Sequence, residues 1–185
     1  MIEILFIGRG GQGAKTASYL AAEAAFQAGK YVQAFPEFGP ERAGAPVFAF
    51  TRIDEEPIKI HSAVTNPDIV VIIDETLLFE IDVCADIKPN GIVLVNTSKI
   101  TGTHKSRLEG CKIYYVDATG IALNLFGKNI PNMPILGALS KIAGLFTLEQ
   151  LEKAFVEDFS NKLSEELIKK NIKAMELSYE KVNGA

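Results

Sequence analysis

This chain is poor in the residues that build self-sufficient redox or metal chemistry. It has two cysteines, Cys84 and Cys111, and two histidines, His61 and His104, in 185 residues. The cysteines form no CxxC pair, so neither a zinc knuckle nor an iron–sulfur cluster can be assembled from this chain alone. They read as buried thiols of a reduced compartment. The histidines have no metal-ligand spacing and no Ser or Cys nucleophile motif nearby, and read as ordinary surface or loop residues. Positive charge is not in excess either: the net charge is -4. Nucleic acid is therefore not expected as a main partner, because phosphate backbones select for Lys and Arg. No apolar run approaches the roughly 18 residues of a membrane span, and Met1 leads straight into a strand without a charged leader. The expectation is a cytoplasmic protein with no membrane partner. A P-loop is missing too, since the glycines near the N-terminus are not followed by Gly-Lys-Ser/Thr; Lys15-Thr16 sits close behind them at the wrong spacing.

What is present is a core and a glycine turn. With 48% hydrophobic residues the chain can bury one core of ordinary size, and residues 1–185 read as a single domain. Ile2 to Ile7 is a short apolar run that opens into Gly8-Arg9-Gly10-Gly11-Gln12-Gly13, and Ala14 to Ala28 follows with helical periodicity and Gly29 as a stop. Strand, glycine turn and helix in that order form a nucleotide-binding first unit. Backbone N–H groups at such a turn face one point, and glycine lets an anion approach them closely. The candidate phosphate-binding residues are therefore Gly8, Arg9, Gly10, Gly11, Gln12 and Gly13, with Arg9, Lys15 or Arg42 as neutralising charge. The same glycines also serve a chain that merely packs a helix tightly on a strand, and both readings stand.

The second half of a dinucleotide fingerprint is missing. An Asp or Glu about 20 residues beyond the glycines, at the end of the second strand, would hold the ribose hydroxyls. The strand here, Tyr31 to Phe35, ends in apolar residues and Pro36, with Glu37 beyond the proline. NAD is disfavoured, whereas another phosphate-bearing ligand stays open.

Phe35 to Pro46 carries three prolines and shows no period, and a long loop in a compact domain is usually functional or disordered. Its aromatics and its Glu41-Arg42 pair argue against disorder. Phe35, Phe38, Glu41 and Arg42 are the candidate interface residues, since aromatics and Arg are enriched in interface hot spots. Val47 to Ile53 then alternates as a strand, with Ile58-Lys59-Ile60 as its expected hairpin mate. Ile69 to Ile73, Ile92 to Val95 and Lys112 to Val116 are expected strands, the first two apolar throughout as in a parallel sheet buried on both faces. Each ends in polar residues, Asp74-Glu75-Thr76, Asn96-Thr97-Ser98 and Asp117-Ala118-Thr119, at the carboxyl edge where open α/β sheets bind ligands. Asp74, Ser98 and Thr119 serve equally well as helix N-caps. After Asn132-Met133-Pro134 come a small, apolar segment, a short helix from Leu148 to Phe155, and a long terminal helix with its apolar face on Leu163 to Val182. The fold class expected is α/β: a single Rossmann-like, mostly parallel sheet with helices on both faces and a long C-terminal helix.

Three stretches together carry a resemblance. Gly8-Arg9-Gly10-Gly11-Gln12-Gly13-Ala14, Phe38-Gly39-Pro40-Glu41-Arg42-x-Gly44-Ala45-Pro46 and Asn132-Met133-Pro134-Ile135-Leu136-Gly137-Ala138 span nearly the whole chain, and the second is far more specific than any GxGxxG. The sequence resembles the gamma subunit of the 2-oxoacid:ferredoxin oxidoreductases. In Gln33-Ala34-Phe35-Pro36-Glu37 and Ala45-Pro46 it looks like the pyruvate and branched-chain oxoacid members. The resemblance implies a non-redox subunit of an enzyme that converts pyruvate, coenzyme A and oxidised ferredoxin to acetyl-CoA, carbon dioxide and reduced ferredoxin. It implies thiamine diphosphate and 4Fe–4S clusters on partner subunits (alpha, beta and delta), with coenzyme A (CoA) as a shared ligand and no cofactor bound by this chain alone. A free-standing nucleotide-binding regulator or dehydrogenase domain is the rival reading. A scaffold with a vestigial glycine loop is a third. If the lead reading is right, the purified chain is colourless and inactive by itself; visible absorbance of an iron–sulfur type in the free subunit contradicts it.

Overall fold

The computed structural model describes residues 1–37 and 44–185. Its seven-stranded sheet has the order β2-β3-β1-β4-β5-β6-β7. In chain order the elements are β1 (Ile2–Arg9), α1 (Ala14–Gln27), β2 (Tyr31–Pro36), β3 (Pro46–Asp54), β4 (Ile69–Ile72), a 3-10 turn (Glu75–Phe79), β5 (Ile92–Asn96), α2 (Gly102–Arg107), β6 (Lys112–Val116), α3 (Ala118–Phe126), α4 (Asn132–Ala143), α5 (Leu148–Phe159), α6 (Glu165–Lys181) and β7 (Asn183–Gly184). Strands β1, β4, β5 and β6 pair in parallel, while β3 and β7 join antiparallel. This is the mostly parallel α/β sheet expected from the apolar runs.

Those runs lack alternation because both faces of the strands are covered. Ile4, Phe6, Val71 and Leu94 point into one core, and Ile7, Val70, Val93 and Val95 into the other. The two covers differ in depth. α1, α3, α4, α5 and α6 supply the first, with Ala14, Ala17, Ala21, Ala24 and Ala25 of α1 buried in it. Small side chains let α1 approach so closely that Thr51 on β3 donates from its hydroxyl to the Ser18 carbonyl of the helix at 2.8 Å. The second cover is the 3-10 turn, the irregular stretch that follows it, and the short helix α2, through Leu77, Leu78, Val83 and Leu108.

Several expectations need correction. Ile58-Lys59-Ile60 is not a strand. β2 takes its place on β3, with Tyr31 opposite Asp54 through Pro36 opposite Ala49. The carbonyls of Ile58 and Ile60 instead receive weak bonds from the Gln33 amide and the buried Arg52 guanidinium, both at 3.4 Å. β2 is consequently separated from β1 by β3, so it is not the directly adjacent second strand on which a ribose-binding acid would stand. Phe35 and Pro36 belong to β2 and Pro46 to β3, so the expected loop of 35–46 gives up both of its ends to strands. Of the expected caps, Asp74 does accept from the Thr76 N–H at 3.0 Å. α2, however, is capped by Thr101 rather than Ser98, and α3 by Asp117 rather than Thr119. His104 is not a surface residue: it is buried, and its Nδ1 accepts from the Thr101 N–H at 3.1 Å to complete a capping box.

α4 and α6 form the closest helix pair. A Cβ on Gly137 would overlap the Met175 carbonyl oxygen, and the Ser178 hydroxyl donates to the Pro134 carbonyl across the same contact. Because the obstruction is backbone, it cannot rotate away. Gly137→Ala should therefore cost about 2 kcal/mol by overpacking, seen as a melting temperature lower by about 4–8 °C in a chain of this size. An unchanged melting temperature means the two helices separate freely.

Candidate functional site

The carboxyl ends of β1, β4, β5 and β6 deliver Gln12, Asp74, Glu75, Thr76, Asn96 and Asp117 to one open cavity of about 490 Å³. This is the shared crevice expected from the polar residues after each strand. Asn96 knits it together, although sequence reasoning did not single that residue out. Its amide donates to the Ile73 carbonyl at 2.7 Å and to the Thr119 hydroxyl at 2.9 Å, and its oxygen accepts from the Thr119 N–H at 3.0 Å. The available signal was an amide closing an otherwise apolar strand, where a buried polar group must find partners.

The glycine turn lies beside this cavity. Gly11 and Gly13 have φ of 95° and 82°, left-handed values that L side chains adopt only under strain. A Cβ on Gly13 would overlap the amide of Asn132, the first residue of α4. Two of the stretches that carry the resemblance thus meet in one contact. Neither α1 nor α4 has a side-chain cap, and α1 has no acidic residue in its first turn. Gln12 bridges the turn to the next strand: its oxygen accepts from the Arg9 N–H at 2.8 Å and its amide donates to Asp74 at 2.6 Å.

Arg9 is engaged rather than free. Its guanidinium donates to Glu80 at 2.6 Å, to the Thr76 hydroxyl at 2.7 Å and to the Gly44 carbonyl at 3.0 Å, and lies 3.5 Å from Asp74. The Glu80 hydrogen bond, against a burial penalty, raises its pKa further. Burial pushes the Asp74 carboxyl up, but hydrogen bonds from Thr76 and Gln12 together with the charge of Arg9 outweigh it, so the net shift is downward. Lys15 is exposed on the first turn of α1. Gly8 is tucked against Ile73 and Ala14, and the Gly10 N–H donates to the Ala45 carbonyl at 3.1 Å. Of the candidate interface residues, Phe35 stacks on Phe50 with centroids 5.5 Å apart and lies under the Arg52 guanidinium. Phe38, Glu41 and Arg42 lie outside the described residues.

A second cavity, apolar and of about 350 Å³, opens where Thr16, Lys128, Asn132, Met133, Phe155 and Leu167 meet. Among the described residues the buried Asn132 side-chain oxygen has no hydrogen-bond partner. Among the described residues no group of three or more His, Cys, Asp or Glu could hold a metal ion. No helix among them is long and apolar enough to cross a membrane.

The family model described as pyruvate ferredoxin/flavodoxin oxidoreductase matches residues 3–181. The chain is similar to the pyruvate/ketoisovalerate oxidoreductases common subunit gamma of Thermococcus kodakarensis, 52% identical over 98% of this chain and 97% of that one. It is likewise similar to the pyruvate synthase subunit PorC of Methanothermobacter marburgensis, 50% identical over 98% of each. Among solved structures, the pyruvate oxidoreductase subunit PORC of Thermotoga maritima is similar throughout, with a TM-score of 0.86 and 45% identity over 100% of this chain and 98% of that one.

The lowered pKa of Asp74 has a sign that can be checked. A carboxyl depressed in the folded state contributes stability above its unfolded pKa and loses it as pH falls through the folded value. The deficit of Asp74→Asn relative to the parent chain should therefore be full at neutral pH and shrink below about pH 4, the ordinary carboxylate range. Melting temperatures of both proteins across that window measure it, and a constant difference down to the lowest pH would mean that Asp74 is not held ionised by its neighbours.

Proposed function

The chain belongs to the pyruvate ferredoxin/flavodoxin oxidoreductase family, as a subunit of an oxidoreductase complex, and from that premise we propose that it is the gamma subunit of a pyruvate:ferredoxin oxidoreductase. The complex would turn pyruvate, CoA and oxidised ferredoxin into acetyl-CoA, carbon dioxide and reduced ferredoxin in the cytoplasm. Alpha, beta and delta subunits would carry thiamine diphosphate and the 4Fe–4S clusters. Such clusters do not fit this chain, because a cluster takes four thiolates and the sequence has two cysteines. What this chain contributes is a place for the phosphates of CoA, and a surface on which the other subunits assemble.

One observation supports the CoA role: α1 begins at a left-handed glycine without a side-chain cap and without an acid in its first turn. Its first N–H groups and its dipole then favour an anion, and exposed Lys15 adds charge of the right sign. A different observation favours the scaffold reading, in which the turn holds no ligand. Arg9 is already neutralised by Glu80 and Asp74.

Lys15→Glu separates the two. An acid in the first helical turn is favourable to the helix itself, so the variant should fold and assemble at least as well as the parent. It should nevertheless raise the KM for CoA about five- to tenfold in the assembled enzyme, the effect of losing roughly 1 kcal/mol of anion binding. Viologen reduction with pyruvate at varied CoA reads this out. An unchanged KM in a normally assembled complex makes the turn a structural joint.

A further inference from the structure

The Sγ atoms of Cys84 and Cys111 lie 2.9 Å apart although 27 positions separate them in the chain. They are the chain's only cysteines, both are half-buried, and both are reduced. Cys84 sits in the irregular stretch after the 3-10 turn, and Cys111 sits immediately before β6. Both pack on the core beneath the thinner cover of the sheet, beside Ile81, Ile87 and Ile113. The two sulfurs are within about 1 Å of bonding distance. No third ligand accompanies them among the described residues, which leaves thiol–disulfide chemistry rather than metal binding as what the pair can do.

We propose that Cys84 and Cys111 are a reversible dithiol–disulfide pair, oxidised by small-molecule disulfides, whose closure fastens the cover of the second face to β6. In the first step one of the two cysteines, as its thiolate, attacks one sulfur of the oxidant R–S–S–R, forms a mixed disulfide and releases R–S⁻. The other then gives up its proton and attacks that protein sulfur, expelling the second R–S⁻. Two protein thiols lose two electrons and two protons, and one R–S–S–R becomes two R–SH. Burial and the contact with Cys111 push the Cys84 thiol up, so the pair stays protonated and reduced until an oxidant reaches it.

The fastening has a consequence for the glycine turn. The 3-10 turn is capped by Asp74 and contains Thr76, and Glu80 follows its end; these three residues hold Arg9 and Gln12. Cys84 is on the same stretch of chain. Tying that stretch to β6 restricts the segment that carries Glu80, whereas reduction leaves it held by packing and by contacts such as the Asn66 amide on the Asp86 carbonyl.

The test uses the full chain, incubated with oxidised glutathione, then denatured and alkylated. The expected product is a monomer that takes up no alkyl group, yields one linked peptide pair containing Cys84 and Cys111, and regains both thiols with dithiothreitol. Its melting temperature should lie about 5–10 °C above that of the reduced chain, the scale for closing a loop of this length. Cys84→Ser and Cys111→Ser should each stop at a mixed glutathione adduct without that rise. Two alkylated thiols after oxidant, a stable mixed adduct on the parent chain, or a bond between two chains would overturn the proposal. So would an internal bond that leaves the melting temperature unchanged, because the cover would then not be fastened by it.

Discussion

The contact of Gly13 with Asn132 joins the start of α1 to the start of α4, and much of the carboxyl edge depends on it. Position 13 favours glycine for two reasons: its φ is 82°, and a Cβ there would meet the Asn132 side chain. A chain that turns left-handed there runs from the end of β1 into α1 through only the four residues 10–13. α4 begins against that turn, and its Pro134 and Gly137 then meet Ser178 and Met175 of α6 along the same helix. One steric requirement at the N-terminus thereby reaches the C-terminal helix.

The two faces of the sheet are held differently, and the difference matters for what can change. The helical face buries Leu136, Leu139, Leu151 and Phe155 beneath several long helices. Such interiors respond to single methylenes, because close-packed side chains relax only in part. The opposite face is sealed by short elements and by irregular chain between them. Its backbone groups are satisfied by scattered contacts, such as the Lys88 N–H on the Pro67 carbonyl at 3.0 Å. Regions with few regular hydrogen bonds open at lower cost than long helices do. The segment that engages Arg9 belongs to this less protected side.

How much of this could be read in the sequence depended on whether the signal was local. The strands at Ile69 and Ile92 were legible because two-sided burial demands unbroken apolar residues, and α1 because Gly29 stops a periodic run. The carboxyl-edge crevice followed from polar residues placed directly after those runs. What failed was pairing: Ile58 to Ile60 has strand composition, yet β3 was already paired on both edges, by β1 and β2. Composition cannot report that a partner is taken. The caps at Thr101 and Asp117 were missed for a related reason, since Ser98 and Thr119 are equally good capping residues and only the exact start of each helix decides between them. His104 was misread because its burial comes from a capping box, which depends on backbone geometry that no side-chain motif announces.

The electrostatics of the glycine turn set the side from which an anion can approach. Among the described residues the crevice over the strand ends is lined by Asp74, Glu75 and Asp117 and by no Lys or Arg. A phosphate about 5 Å from one such carboxylate meets a repulsion of roughly 3 kcal/mol at the effective dielectric of a protein surface, more than a helix N-terminus returns. On the other flank of the turn stand Lys15, exposed on α1, and Lys128, at the mouth of the apolar cavity beside Asn132. Carboxylates and the Asn129 side chain in the crevice are suited to accept from hydroxyl or amino groups instead. The two flanks of the turn therefore differ in charge, with lysine on the helix side and carboxylates at the strand ends. Gln12 keeps the two sides distinct by holding Asp74 in place at 2.6 Å while the helix start beside it stays free of acids.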